Sequence, residues 1–316
     1  MINKSNLNFE LFGLLHLEEN EKTSMNIATR NFEEQVLIYI ENAVTLSNSL
    51  KSKGIEFTLL TNKKRIVDSF LQNKEYTLKV EKIPFITKVP TGLSFYSAHF
   101  KIDAFRFLAK QKKKYVGLCD LDMVCINNIP PSLKKNIKSK TPLFYDISDQ
   151  VIPAYGHKII IRDLESISGE KSEGRWIGGE FITGTPAFFS ILIKEIDKIF
   201  GNYIKNIKNL HHVGDEAITS AALELIEKSG KHIADAGKLG IVGRYWNSDV
   251  LHTQKPLDYF ANHFLLHLPG DKNLLSKMAS QTFNNKSFFK LYSAHVNSFP
   301  SRTRRKIQRL KRKLKS

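Results

Sequence analysis

Residues 115 to 126 read YVGLCDLDMVCI, an apolar run broken by two carboxylates, Asp120 and Asp122, one residue apart. Tyr, Val, Leu and Ile in such a stretch favour a buried strand. Strand side chains alternate, so the spacing puts both acids on one face. Two bare carboxylates at the end of a buried strand repel each other and are poorly solvated, so they need a cation or a shared proton. A hard divalent ion meets that need, and a bend at the strand end lets both acids reach it.

The chain ahead of this run alternates as a parallel sheet requires. Residues 9 to 17 and 55 to 61 are predicted strands, with a helix over 32 to 53, stopped at Gly54, between them. A helix around 63 to 73 and a strand at 76 to 83 follow. Ser94 is the expected cap of a helix whose apolar stripe is Phe95, Ala98, Ile102, Phe105 and Ala109. This rhythm indicates an α/β fold with a mixed, mostly parallel sheet flanked by helices. Ligands in such sheets bind beyond the carboxyl ends of the strands, which is where the acidic pair lies.

After Pro130-Pro131 the pattern changes. Residues 141 to 147 read as a short strand, and 148 to 175 as a long polar connection containing Gly156, Gly169 and Gly174. Residues 176 to 189 read as a glycine-marked strand and turn, followed by helices to about 202 and from 215 to 229. A late strand is expected over 259 to 268, ending at Pro269-Gly270.

The 316 residues can bury a substantial core, and no window approaches the roughly 18 uninterrupted apolar residues of a membrane span. The polar start, MINKSNLNFE, does not read as a signal peptide. Cys119 and Cys125 flank the acidic pair and read as reduced core thiols. The net charge of +17 is uneven: residues 301 to 316 carry nine Lys or Arg and no acid. Ile307, Leu310 and Leu314 recur there at helical spacing, and Phe288, Phe289, Leu291, Tyr292 and Phe299 lie just upstream. A basic amphipathic helix of this kind suits an anionic membrane surface. The rest of the chain has no nucleic-acid reader motif, so no nucleic-acid partner is expected.

Around these residues the chain resembles nucleotide-sugar-dependent glycosyltransferases of the GT-A fold, the retaining galactosyl- and glucosyltransferases in particular. CDLDMVC is similar to their Asp-any-Asp motif, and His267-Leu268-Pro269-Gly270 to their late His-any-any-Gly element. The resemblance implies that Asp120, Asp122 and His267 hold Mn²⁺ or Mg²⁺, and that the turn at Gly270 contacts the donor diphosphate. Imidazole suits Mn²⁺ beside carboxylates. Where relatives carry a lysine three residues after the glycine, this chain has Asn273, with Lys272 just before it. Lys101 stands where relatives carry a basic donor-binding residue. Gly178-Gly179-Glu180, ahead of a glycine turn at Gly184, resembles the segment where the backbone passes close to the donor sugar, the glycines allowing the approach. Asp215-Glu216 resembles the acidic pair beneath the anomeric carbon, and so would carry the catalysis.

The GGEF string at 178 to 181 also occurs in cyclases that make cyclic dinucleotides, but the second adjacent acid is missing. Two other readings compete with the transferase. Asp120-Leu121-Asp122-Met123-Val124 satisfies the nucleophile motif of haloacid-dehalogenase-like phosphatases, though here it follows several elements and no convincing later acidic pair for Mg²⁺ accompanies it. A non-enzymatic protein binding membranes or nucleic acid would explain the tail but not the buried acids. The expectation is a metal-dependent hexosyltransferase using a UDP-type nucleotide-sugar, a saccharide acceptor and retention. Residues 1 to 280 form its GT-A domain and 281 to 316 an aromatic and basic membrane-association segment. The enzyme would sit peripherally on the cytoplasmic face of a bacterial membrane, where lipid-linked or surface glycans are built.

Overall fold

The computed structural model describes residues 8–18 and 31–314, so the polar N-terminus and the last two residues of the basic tail lie outside the described residues. The chain begins with β1 (Phe9–Leu15), α1 (Phe32–Lys51), β2 (Glu56–Thr61), α2 (Lys64–Asn73) and β3 (Lys79–Lys82). Asn31 starts α1 by accepting the Glu34 N–H through its side-chain oxygen at 2.8 Å, an ordinary N-cap. Helix α3 (Lys101–Leu108) leads into β4 (Tyr115–Cys119), and β5 (Met123–Cys125) follows after a turn.

The chain continues through α4 (Pro131–Ser139), β6 (Leu143–Asp146), α5 (Ser148–Tyr155), α6 (His157–Ser168) and β7 (Ile177–Gly184). Two long helices, α7 (Pro186–Asn206) and α8 (Asp215–Lys228), precede the short strands β8 (Ala234–Asp235), β9 (Val242–Arg244) and β10 (Leu265–His267). Helices α9 (Lys272–Ser276), α10 (Asn285–Asn297) and α11 (Phe299–Lys313) complete the described chain.

The main sheet has seven strands in the order β3-β2-β1-β4-β7-β6-β8. Its pairs are parallel except on either side of β7, which runs antiparallel to β4 and to β6. The expected α/β architecture, a mixed and mostly parallel sheet flanked by helices, is therefore what the chain forms. On one side α1 packs with α2 and α9, while α3, α6, α7 and α8 pack among themselves. Cys119 and Cys125 are buried free thiols.

Several local expectations are corrected. The acidic run is not one strand: β4 ends at Cys119, residues 121–122 turn, and β5 enters a second, three-stranded sheet ordered β5-β10-β9. Apolar character cannot mark such a change of sheet, because both strands are buried. Ser94 caps nothing. A 3₁₀ turn over Tyr96–Phe100 precedes α3, entered through Phe95 in the left-handed region at φ +56°. Residues 148–168 are two helices rather than a polar connection, since Ile160, Leu164 and Ile167 give α6 a buried stripe at helical spacing. The expected late strand shrinks to Leu265–His267, because Leu257–Phe260 forms a 3₁₀ turn.

The small sheet separates two cores. Along β5, Met123 and Cys125 face the main core and Val124 the second; along β10, Leu265 faces the main core and Leu266 the second. The second core is closed by Phe283 and by Phe288, Tyr292 and Val296 of α10. The aromatic residues upstream of the tail are thus divided. Phe288 and Tyr292 are interior, whereas Leu291 and Phe299 face solvent. Burial of the first two removes them as surface anchors.

Candidate active site

The two sheets meet where β4 and β10 end. Asp120 and Asp122 occupy the turn that leaves β4, and His267 is the last residue of β10. The turn is tied down by backbone bonds: Asp120 N–H donates to the Glu180 carbonyl at 3.0 Å, and Leu268 N–H to the Asp122 carbonyl at 2.9 Å. One ligand atom from each of Asp120, Asp122 and His267 lies within 4.8 Å of the other two.

The oxygens are sorted. Lys101 Nζ holds Asp120 Oδ1 at 2.7 Å and Lys272 Nζ holds Asp122 Oδ2 at 2.5 Å. The other oxygen of each acid turns toward His267 Nε2, Asp122 Oδ1 at 3.0 Å and Asp120 Oδ2 at 3.8 Å. Lys272 therefore reaches the acidic pair despite its offset in sequence.

Behind the imidazole, Nδ1–H donates to Glu180 Oε1 at 3.3 Å, and Arg244 Nη1 lies 3.5 Å from the same oxygen. Arg244 in turn donates from Nε to Gln150 Oε1 at 3.0 Å. Both Glu180 and Arg244 are buried.

Charge fixes the ionic states. Burial opposes the negative form of Asp122, but Lys272 and His267 overcome it and hold the carboxyl far below the usual range. Asp120 goes the other way, raised by burial in spite of Lys101. Burial likewise disfavours ionised Glu180, yet Arg244 and His267 bring it down to about 2. Burial would lower His267; Asp122 and Glu180 instead raise it to about 9. The Lys101 ammonium is raised by Asp120 and Asp215 against the effect of its burial.

The donor set fits a hard divalent cation. Two carboxylate oxygens and one imidazole nitrogen converge, each acid keeping one oxygen off its lysine, and the imidazole already has a carboxylate behind it. That second-sphere carboxylate fixes the tautomer which leaves Nε2 free to coordinate. Five carboxylates line the cleft, Asp120, Asp122, Glu180, Asp215 and Glu216, against the fixed cations Lys101, Arg244 and Lys272. With the His267 imidazole neutral, as coordination requires, the excess of two negative charges is that of one divalent ion.

Asp215 and Glu216 open α8, where the helix dipole favours acids. Lys101 bridges Asp120 to Asp215, 3.1 Å from Oδ2, and also donates to the Gly179 carbonyl at 2.8 Å. Glu216 has no lysine or arginine within salt-bridge reach among the described residues; its Oε2 accepts Trp176 Nε1–H at 2.8 Å and stands 3.7 Å from His212. Gly178 and Gly179 adjoin the cleft. A Cβ on Gly178 would lie 2.0 Å from a Glu180 oxygen, and one on Gly179 2.2 Å from Asp215 Oδ2. Both glycines make room for carboxylates of this site. Gly270 turns against Asn247 and Ser248, beside Pro269 of the cleft wall.

The cleft itself encloses about 420 Å³, bounded by the end of β1 on one side and by Phe95, His212 and Trp246 on another. Phe95 packs against His212 with ring centroids 5.0 Å apart and the rings tilted by 36°. Its left-handed backbone is uncommon for a bulky residue and is strain held by its surroundings.

Every sequence-derived site residue is in or beside this cleft. Arg244, Trp176 and Trp246 are additions that sequence reasoning passes over as functional groups, and the role of Glu180 behind His267 is new as well. A charged side chain in each of the apolar stretches WIGGEF and IVGRYW was the available signal, since such residues are seldom buried without a partner.

No family model matches the chain, and no curated protein matches it. One of the solved structures similar to it is the galactosyltransferase LgtC in complex with donor and acceptor sugar analogues, at 11% sequence identity and a TM-score of 0.49, covering 88% of this chain and 98% of that one.

Proposed function

We propose that the chain is a divalent-metal-dependent glycosyltransferase that moves a hexose from a nucleotide diphosphate sugar to a saccharide acceptor. One observation carries the reading: Asp120, Asp122 and His267 converge at the floor of an open cleft, each acid steadied by its own lysine. Bound there, Mn²⁺ or Mg²⁺ would neutralise the diphosphate as it departs. Lys101 and Lys272 add positive charge at the same place, and the UDP-type donor is the expectation carried from the sequence.

The cleft lies beyond the carboxyl ends of β1 and β4, where α/β sheets take nucleotides. Transfer breaks the bond from the anomeric carbon to the diphosphate and forms one to the acceptor oxygen, whose proton passes to the departing diphosphate. The anomeric carbon turns cationic on the way, so a carboxylate beneath it stabilises the transition state. Glu216 suits that role better than Asp215. Lys101 pairs directly with Asp215, whereas Glu216 is positioned by neutral Trp176, and Arg244 acts on its charge only from beyond salt-bridge distance. Phe95, His212 and Trp246 offer flat faces against which a saccharide acceptor can lie. Retention is the outcome carried from the family resemblance.

No helix among the described residues is long and apolar enough to cross a membrane. Attachment to an anionic membrane surface through the basic C-terminal helix is part of this proposal, supported by the charge of residues 301 to 316.

A panel of nucleotide-sugars incubated with the protein, with Mn²⁺ or with chelator, tests the reading. The expected outcome is release of nucleoside diphosphate from one donor, lost in chelator and in Asp122→Asn. Turnover that survives chelation overturns the metal; release of inorganic phosphate in place of nucleotide supports the phosphatase.

A further inference from the structure

Helix α11 faces opposite to an ordinary amphipathic helix. Its inward side is polar: Ser301 is buried, and Arg305, Gln308 and Arg312 are half-buried one or two turns apart. Phe299, Ile307, Leu310 and Leu314 point outward, from 48% to 87% exposed. At about 100° per residue these four fall within about 80° of arc. Exposed Arg302 and Lys306 border that stripe on one side and exposed Lys311 on the other, with no acid from residue 299 onward.

The inward side grips mainly residues 247 to 250, within the segment 246–251, while Arg305 also donates to the Val296 carbonyl at 3.0 Å. Arg304 donates to the Asn247 carbonyl at 2.6 Å, and Arg305 to the Asn247 side-chain oxygen. Gln308 Oε1 accepts the Asp249 N–H at 3.0 Å, while Arg312 donates to the Val250 carbonyl at 2.7 Å and pairs with Asp249 at 3.1 Å. This segment begins with Trp246 on the cleft wall. Asn247 also donates to Asp271 at 3.2 Å, next to the Lys272 that holds Asp122.

We propose that α11 is a two-sided anchor: its outward stripe seats the protein on an anionic lipid bilayer while its inward arginines keep the cleft-wall segment 246–251 in place. The inference rests on the membrane part of the function proposed above and adds which face binds and what the other face holds. A bilayer fits better than nucleic acid, because the centre of the outward face is apolar but for the uncharged Thr303, and its cations stand at the margins. That is the section of a helix lying in a lipid interface. Because lipid and loop use opposite faces, membrane binding leaves the arginine contacts intact.

The test uses the full chain, vesicles of phosphatidylcholine with or without phosphatidylglycerol, and amide hydrogen exchange at residues 246–251. Wild type is expected to sediment with phosphatidylglycerol vesicles only, with 246–251 as protected on vesicles as in solution. Ile307→Asp/Leu310→Asp, both at exposed sites, should lower partitioning at least about tenfold and leave exchange at 246–251 unchanged. Phe299→Ser/Leu314→Ser is a second pair with the same expected effect should the first fail to fold.

Asp249→Asn leaves the helix charge untouched. It should bind vesicles like wild type yet exchange at 246–251 about tenfold faster. Vesicle binding that survives loss of the stripe, exchange unmoved by Asp249→Asn, or a loop that opens when wild type meets lipid would each overturn the inference. Duplex DNA binding without vesicle binding would do the same. If wild type ignores both kinds of vesicle, the membrane reading itself fails. Neither measurement involves sugar transfer, so the transferase reading stands or falls separately.

Discussion

Glu180 orients the imidazole of His267, and its effect on the proposed metal site can be isolated because Gln keeps the shape and removes the charge. Glu180→Gln is expected to weaken Mn²⁺ binding about 10- to 100-fold by calorimetric titration, the usual cost of losing a second-sphere carboxylate. Gly179 makes the opposite kind of claim, about space. Its Cβ would fall 2.2 Å from Asp215 Oδ2 and 2.9 Å from Lys101 Nζ. Gly179→Ala should cost about 1–3 kcal/mol in urea denaturation, as overpacking does. His16, buried and stacked on Phe100 with centroids 4.1 Å apart, is lowered to about 4 by burial, with Lys63 adding to it. The unfolded chain then takes up a proton near pH 6.5 that the folded chain refuses until about pH 4, so stability is fully present above 6.5 and declines as pH falls through that window. The slope is at most about 1.4 kcal/mol per pH unit. His16→Phe should flatten it in denaturation series at successive pH values. At this scale the sequence is most legible where chemistry is unusual. Asp120 and Asp122 declare themselves as acids in an apolar run; Arg244 does so too, but naming its partner Glu180, far away in the chain, requires the fold.

Elements were readable where periodicity and caps agree. The helix α1 and its neighbours β1 and β2 lie where expected, and Gly54 takes the left-handed φ of +70° that follows a helix end. Helix α7 begins with Thr185, which accepts the Phe188 N–H at 3.2 Å, followed by Pro186 in the first turn. Thr185→Ala should therefore cost about 1 kcal/mol in urea denaturation. Reading failed where an element's identity depends on its neighbours. The run from Tyr115 to Ile126 is apolar throughout, so nothing local tells that Asp120 leaves one sheet and Met123 enters another. Helices α5 and α6 were hidden by glycines at their ends, Gly156 and Gly169, which mark boundaries and not a loop. The tail was legible as amphipathic, but which of its faces looks outward follows only from the arginine contacts.

The whole molecule is two cores joined by a three-stranded sheet, with the cleft at the join. A chain ending at residue 298 keeps α10 and the second core, whereas one ending at 280 loses Phe283, Phe288, Tyr292 and Val296 from it. The shorter truncation should stay folded but let the cleft-wall segment that α11 holds exchange faster; the longer should lose cooperative unfolding or aggregate, because Val124 and Leu266 would be laid bare. The α/β class followed from the order of elements alone, but convergence of residues as distant as Lys101 and His267 is a property of the assembled sheets. The central claim is that this convergence is a cation site which serves a nucleotide diphosphate. Calorimetric titration of Mn²⁺ into wild type and into His267→Ala, each with and without a nucleoside diphosphate, tests it most directly. One Mn²⁺ per chain, bound more tightly with the nucleotide and lost in His267→Ala, is the expected result; no binding by wild type, or equal binding by both proteins, would contradict it.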